Sequence, residues 1–294
     1  MANQTLSSIA AGVDGYPEGR AAAVLAATLG RATDADVMLV MVVPEQPGVP
    51  PWVGAEDVHE QANTTLAATR DAFAPGGRLA VETDASAARA LERVVAREHR
   101  DLLVVGPSRH AAEGHVRVGK RTRQLIGHAG CALAVAPRGM HHHPPGTIAR
   151  IGVGDDGASE SEAALQLAGS LARAAGAALL VRAVVDDRGV PPIDWSPLGG
   201  LPPPDERDQY VRVDVGVLGE KTAEATRSVD ESAEIEVSRS RPADALLELS
   251  ARVDLIVIGS RRWGPVARLL LGGTGEALLH DASCPILVAP RPSD

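Results

Sequence analysis

Residues 9–26, IAAGVDGYPEGRAAAVLA, return at residues 151–168 as IGVGDDGASESEAALQLA, an offset of 142. Each is a short apolar run, an Asp-Gly or Asp-Asp-Gly turn and an Ala-rich helical stretch. Two further segments repeat at a larger offset. DLLVVGPSR at 101 matches DLIVIGSRR at 254, and CALAVAPR at 131 matches CPILVAPR at 284, both displaced by 153. Self-similarity over such a distance marks a tandem duplication. The growth of the offset puts an insertion in the second copy, and the Pro/Gly-rich residues 186–206, DDRGVPPIDWSPLGGLPPPDE, are its candidate.

Within one copy, strand and helix signals alternate. Residues 8–13 read as a strand ending at Asp14-Gly15, a turn dipeptide. Residues 18–29 read as a helix. Residues 37–43, VMLVMVV, form an unbroken apolar run of the kind buried on both faces of a parallel sheet. A helix over about 56–73, a strand at 78–83, an amphipathic helix over 85–98 and a strand at 102–105 follow. A loop then leads to a helix beginning at Gly119, and a strand at 132–136 closes the unit. Five strands with intervening helices predict an α/β unit, a five-stranded parallel sheet with helices on both faces, present twice.

The bulk composition agrees with two domains. A chain of 294 residues suits two units of about 140, each able to bury a core. Aromatics make up 2% with a single Phe73, so the cores must be Ala, Val, Leu and Ile. The net charge of −9 argues against nucleic-acid and membrane-surface partners. It is uneven: 14 basic and 15 acidic residues lie in 1–140, which leaves −8 for 141–294. Two cysteines make no disulfide framework, so a reducing compartment is expected. No basic leader and no apolar run of about 18 residues is read, which predicts a cytoplasmic protein. Between the copies, RGMHHHPPGT (138–147) reads as a solvated, Pro-stiffened linker rather than a metal site, since adjacent histidines cannot all face one ion. The expected domains are 1–140 and 148–294, joined by 141–147.

One stretch imitates a phosphate loop. GHVRVGKRT, residues 114–122, fits the first seven positions of G-x-x-x-x-G-K-[ST], but Arg121 stands where the magnesium-binding hydroxyl belongs. A P-loop also follows its strand directly, whereas here eight residues separate Val105 from Gly114. Aligning Gly106 with Gly259 aligns Gly119 with Gly272, but sets Ala267 against Gly114 and Gly273 against Lys120. The duplicated unit therefore lacks the Walker pattern. What both copies share is a glycine at the carboxyl end of a strand and a glycine opening a helix. The first allows close approach of a ligand to the backbone, and the second presents unpaired amides to an anion.

These residues resemble the universal stress protein family, whose members bind ATP through G-x2-G-x9-G-[ST]. The resemblance covers nearly the whole chain, twice. It implies Rossmann-like domains of the adenine nucleotide alpha hydrolase type, paired through their last strands, and a role in stress or dormancy. It implies contact of adenine and ribose with the turns Gly12-Val13-Asp14 and Gly154-Asp155-Asp156, and packing of Val42 and Val184 near the base. The spacing of the ATP motif is intact in both copies, and its identities are altered. Copy one has Gly106, Arg109, Gly119, Lys120 and Arg121; copy two has Gly259, Arg262, Gly272, Gly273 and Thr274. An arginine in place of the second motif glycine either crowds a nucleotide or grips its phosphates.

The ligand implied is ATP, with magnesium accompanying its phosphates, or a related adenine nucleotide. Three functions remain open at this point: a nucleotide-regulated sensor without efficient catalysis, a slow ATPase, and a scaffold that has lost the ligand. No nucleophile elbow or zinc-protease motif is present and no general base stands out. The two domains either satisfy one interface within a chain or pair two chains. Trp195 lies in the insertion, read as a loop, and Cys131 and Cys284 read as core residues.

Overall fold

The computed structural model describes residues 6–45, 55–119, 122–123, 125, 130–186, 204–262, 269–270 and 272–290. In the first half, β1 (Ser8–Val13), α1 (Pro17–Thr33), β2 (Asp36–Val43), α2 (Ala55–Phe73), β3 (Arg78–Thr83), α3 (Ala87–Arg97), β4 (Leu102–Val105) and β5 (Ala132–Val135) follow in order. The second half has β6 (Arg150–Asp155), α4 (Ser159–Ala175), β7 (Ala178–Asp186), α5 (Pro204–Val229), β8 (Glu234–Ser240), α6 (Pro242–Ser250) and β9 (Leu255–Gly259). A small hairpin of β10 (Arg261–Arg262) and β11 (Leu269–Leu270) follows, then α7 (Gly273–Asp281) and β12 (Ile286–Ala289). Residues 122, 123 and 125 are also helical, so the first half too turns helical just after Gly119.

Each half is an α/β unit with a five-stranded parallel sheet. The strand order is β3-β2-β1-β4-β5 in the first and β8-β7-β6-β9-β12 in the second, with every neighbour inside a half parallel. This is the Rossmann-like arrangement, in which the chain reverses its direction of growth between β1 and β4, and between β6 and β9. Strands β5 and β12 then pair antiparallel, Leu133 facing Val288 and Val135 facing Ile286, to give one ten-stranded sheet. Both are buried throughout, as their unbroken apolar sequences require.

Two apolar layers sandwich the sheet. Helices α1, α2, α4 and α5 cover one face with Leu25, Leu29, Leu66 and Leu165; α3, α6 and α7 cover the other with Leu91, Val94, Leu249 and Leu278. The small side chains of α1 let it lie close, and Ala21 through Ala26 are 0–2% exposed. Helix α1 runs four residues past the expected Leu29 because Asp34 closes it in the left-handed region, φ 56°, with its amide on the Gly30 carbonyl.

At the amino edge of the sheet the repeated aspartates tie strands together. Asp101 accepts bonds from the amides and hydroxyls of Ser7 and Ser8 at 2.7–3.0 Å. Asp254 accepts from the amides of Ala149 and Arg150 at 2.8 and 2.9 Å. Burial pushes the Asp101 carboxyl up, but the Ser7 and Ser8 bonds outweigh it and hold it below the usual range. The insertion is partly a helix, since Asp186 ends β7 and α5 starts at Pro204, a residue suited to a first turn. Residues 187–203, with Trp195, lie outside the described residues. No helix among the described residues is long and apolar enough to cross a membrane.

Candidate functional site

The candidate sites lie at the carboxyl edge of the sheet, where each half changes direction. After β1, the Asp14 carboxylate accepts the Tyr16 amide at 3.1 Å, and Gly15 sits at φ 77°. After β6, Asp156 accepts the Ala158 amide at 3.1 Å, and Gly157 sits at φ 74°. Both aspartates are exposed. An Asp-Gly pair forms this turn because the carboxylate bonds two residues on and glycine takes the positive φ at no steric cost. Both turns thus share an aspartate bond to the amide two residues on and a glycine at positive φ.

The neighbouring glycines have packing reasons. A Cβ on Gly12 would lie 3.1 Å from Leu91 of α3, and one on Gly154 would lie 2.7 Å from Leu246 of α6. These two site candidates therefore admit the helix on the far face of the sheet. Val42 is half-buried against that same layer and Val184 is 8% exposed, both at the carboxyl ends of their strands. At Gly106, read from the sequence as a glycine that admits a ligand, the chain itself comes close. A Cβ there would stand 2.2 Å from the Glu18 carbonyl oxygen in the first turn of α1.

The first-half motif loop is closed on the second half. Ser108 donates to the Arg117 carbonyl at 2.6 Å, so the loop folds back on its own start and brings Gly119 beside Ser108. Val116 donates to the Ala282 carbonyl at 2.8 Å and Val118 to the Leu279 carbonyl at 3.0 Å, both at the carboxyl end of α7. Their side chains are 0% and 8% exposed. The Arg138 guanidinium fastens the outer turn through the carbonyls of Arg109 and Ala111, at 3.1 and 2.8 Å. Arg109 itself is exposed and donates to His110 at 3.4 Å. Gly119 accepts the Arg123 amide at 3.0 Å, as the first residue of a helical turn does. Lys120 and Arg121 lie outside the described residues.

In the second half, Gly259 ends β9 and pairs with Ala289. Arg262 lies in β10 with its backbone paired to Leu269. Gly272 is the N-cap of α7, extended at φ −65° and ψ 173°, with no side-chain cap; its carbonyl takes the Glu276 amide at 3.0 Å. Gly273 and Thr274 form the first turn, and a Cβ on Gly273 would meet nothing within 4 Å among the described residues. An uncapped helix start is suited to an anion. Following β9, the Ser260 hydroxyl is buried without a partner among the described residues, a feature that residue type alone did not flag.

Two further residues, Ser161 and Thr222, were not singled out from the sequence; both bond Asp155, which the resemblance places in the nucleotide-contacting turn. Asp155, 7% exposed, is held by the Gly157 amide at 3.0 Å, the Ser161 hydroxyl at 2.8 Å and the Thr222 hydroxyl. Ser161 and Thr222 stand where the first half has small or apolar residues, and that contrast between copies is the signal that finds them. In the linker, His141 stacks on His142 at 4.1 Å and meets Phe73 edge-on at 6.3 Å. No cluster of three metal-ligating side chains occurs among the described residues. Cys131 and Cys284 are buried at equivalent strand entries, and burial pushes both thiols up to about 12.

The universal stress protein family model matches the chain twice, over residues 6–137 and 147–290. A universal stress protein of Mycobacterium tuberculosis H37Rv is 27% identical over 295 residues, covering 96% of each chain. One from Mycolicibacterium smegmatis is 28% identical over 302 residues, covering 96% of this chain and 97% of its own. Among solved structures, a universal stress protein from Archaeoglobus fulgidus matches 99% of this chain and 100% of its own at a TM-score of 0.62 and 16% identity. That last likeness carries the fold alone.

Proposed function

The chain belongs to the universal stress protein family, and we propose that it binds an adenine nucleotide, ATP with magnesium on its phosphates, at the carboxyl edge of the second-half sheet. The observation that carries this reading is the uncapped start of α7 at Gly272-Gly273. It follows β9 through a short hairpin, and β9 neighbours β6, whose turn presents Asp156. In this reading the amides of Gly273 and Thr274 meet phosphate, and Gly259 and Arg262 flank it. Asp156 takes the ribose or adenine, and Val184 lies by the base. The output is occupancy shifting a conformational equilibrium in the cytoplasm, not turnover.

For the first half, a specific observation favours the scaffold reading. Its motif loop is hydrogen-bonded to α7, and the place beside Gly106 is filled by the Glu18 carbonyl. Asp14, Val42, Arg109, Gly119 and Lys120 are then remnants of a site or a weaker one. We further propose domains at 1–140 and 148–294 with 141–147 between them, paired within one chain; the β5–β12 ladder supports this.

Gly272→Asp tests the reading. An aspartate is a strong N-cap, so its carboxylate takes the amides that phosphate would use and repels the phosphate besides. The expected result is unchanged or higher thermal stability with ATP affinity lowered at least about tenfold, a loss of about 1.4 kcal/mol. Wild-type affinity in that variant would remove α7 from the site.

A further inference from the structure

Three buried positions change together between the copies. The first half has Val13, Gly19 and Leu66; the second has Asp155, Ser161 and Thr222. The first two pairs keep the offset of 142, and the third keeps the offset of 156 that also carries Phe73 onto Val229 at the ends of α2 and α5. Val13 and Leu66 are 3% and 0% exposed within one apolar cluster. Asp155, Ser161 and Thr222 are 7%, 6% and 0% exposed and form one hydrogen-bonded group.

Removing a carboxylate from water is unfavourable unless hydrogen bonds replace it. Here Asp155 Oδ1 accepts from the Gly157 amide at 3.0 Å and from Ser161 Oγ at 2.8 Å, while Oδ2 accepts from Thr222 Oγ1. Ser161 Oγ is equally close to the Ala158 carbonyl, 2.8 Å, and its single proton serves one acceptor at a time. The fold does not need this group, because the first half builds the same place from apolar side chains and a glycine. What the group adds is constraint on the turn. In the first half, among the described residues, the side-chain bond from the Tyr16 amide to Asp14 holds the turn. In the second, the Ala158 amide bonds Asp156 and the Gly157 amide also bonds Asp155, which Thr222 ties to α5.

We infer that Asp155, anchored by Ser161 and Thr222, is a positioning residue that presets the Asp156 turn and makes the second half the tighter of the two nucleotide sites. The inference rests on the nucleotide reading of the second half. A turn already held in its bound shape loses less freedom on binding, so affinity rises without any new contact to the ligand. Asp155 itself then faces the protein rather than the nucleotide.

The test exchanges the group for its first-half counterpart. Asp155→Val alone takes the acceptor from the Thr222 hydroxyl and the Gly157 amide, leaving Ser161 its bond to the Ala158 carbonyl, and is expected to lower both the urea midpoint and ATP affinity. The triple variant Asp155→Val, Ser161→Gly, Thr222→Leu is expected to regain most of the midpoint yet bind ATP at least tenfold more weakly in calorimetry, with faster exchange of the Gly157 amide in the unliganded chain. Asp155→Asn, which keeps an acceptor for Gly157, is expected to stay within about threefold of wild-type affinity. Wild-type ATP affinity in the triple variant would overturn the positioning role. An Asn variant as weak as the Val variant would overturn it too, since the charge itself would then be what the ligand needs. A wild-type chain that binds no ATP would instead overturn the nucleotide reading, whatever the Gly157 amide does.

Discussion

Gly106→Ala is the substitution whose consequence follows most directly from the geometry. The new methyl carbon would stand 2.2 Å from the Glu18 carbonyl oxygen, 2.7 Å from its carbon and 3.4 Å from the Gly19 nitrogen. All three are backbone atoms, so no side chain can swing aside. Restoring an ordinary contact of about 3.5 Å requires the first turn of α1 to retreat by roughly 1 Å. Neither partner is free to yield. Strand β4 is buried on both faces between β1 and β5, and α1 is buried from Ala21 through Gly30. Overpacking of this kind costs about 1–3 kcal/mol. With a urea slope of about 2 kcal/mol/M, the first-half midpoint drops by about 0.5–1.5 M.

Because the two halves need not unfold together, the assay must report on each separately. Hydrogen exchange followed by mass spectrometry along a urea series does so through peptides from α1 and α4. The α1 transition is expected to move and the α4 transition to stay. Gly146→Ala is the control, since a Cβ at Gly146 would meet nothing within 4 Å. An unmoved α1 midpoint together with weakened nucleotide binding would refute the packing argument and restore Gly106 to the role of a ligand-facing glycine.

Two further outcomes are expected. Burial has pushed both thiols up to about 12, so the native chain should be inert to a thiol-specific reagent at pH 8 and should react at two sites once unfolded; native labelling would contradict the burial of Cys131 and Cys284. Burial, then the His142 charge and Arg20, depress the His141 imidazole below its ordinary value, with Glu113 and Glu18 pulling weakly the other way. On acidification the unfolded chain takes this proton first, so stability is retained above about pH 6.5 and falls as the pH drops through the folded value. Wild type should therefore lose more stability than His141→Gln between pH 7.5 and 5.5, and parallel curves for the two would disprove it.

Much of the fold was legible because the signals were redundant. The run VMLVMVV has no period, which in a short segment means burial on both faces, and β2 spans Asp36–Val43. The repeat located the strand ends twice, and the same glycines and aspartates recur at the ends of β1 and β6. Less was legible where a rule admits two outcomes. Pro204 in a Pro-rich stretch reads as loop, yet a proline is equally at home in the first turn of a helix, and α5 starts there. Asp34 ends α1 in a left-handed conformation usually reserved for glycine, so nothing in the sequence marked that stop.

For the candidate site the sequence offered positions, and the structure supplies the contacts at them. Gly12, Gly154 and Gly106 stand where the family resemblance placed them, but the atoms pressing on them are Leu91, Leu246 and the Glu18 carbonyl. A glycine records that something comes close, without recording what. The difference between the copies lies in contacts that no linear motif holds. Helix α7 shows it best. Its carboxyl end is closed by amides of the first half, from Val116 and Val118, while its amino end opens on Gly272 without a side-chain cap. A helix of nine residues is marginal by itself, so each end matters to the other. Closure of one end by the sibling domain steadies the helix on which the other end presents its free amides. The first-half loop, read from its glycines and charges as a binding loop, thereby supports the helix on which the proposed second-half site rests.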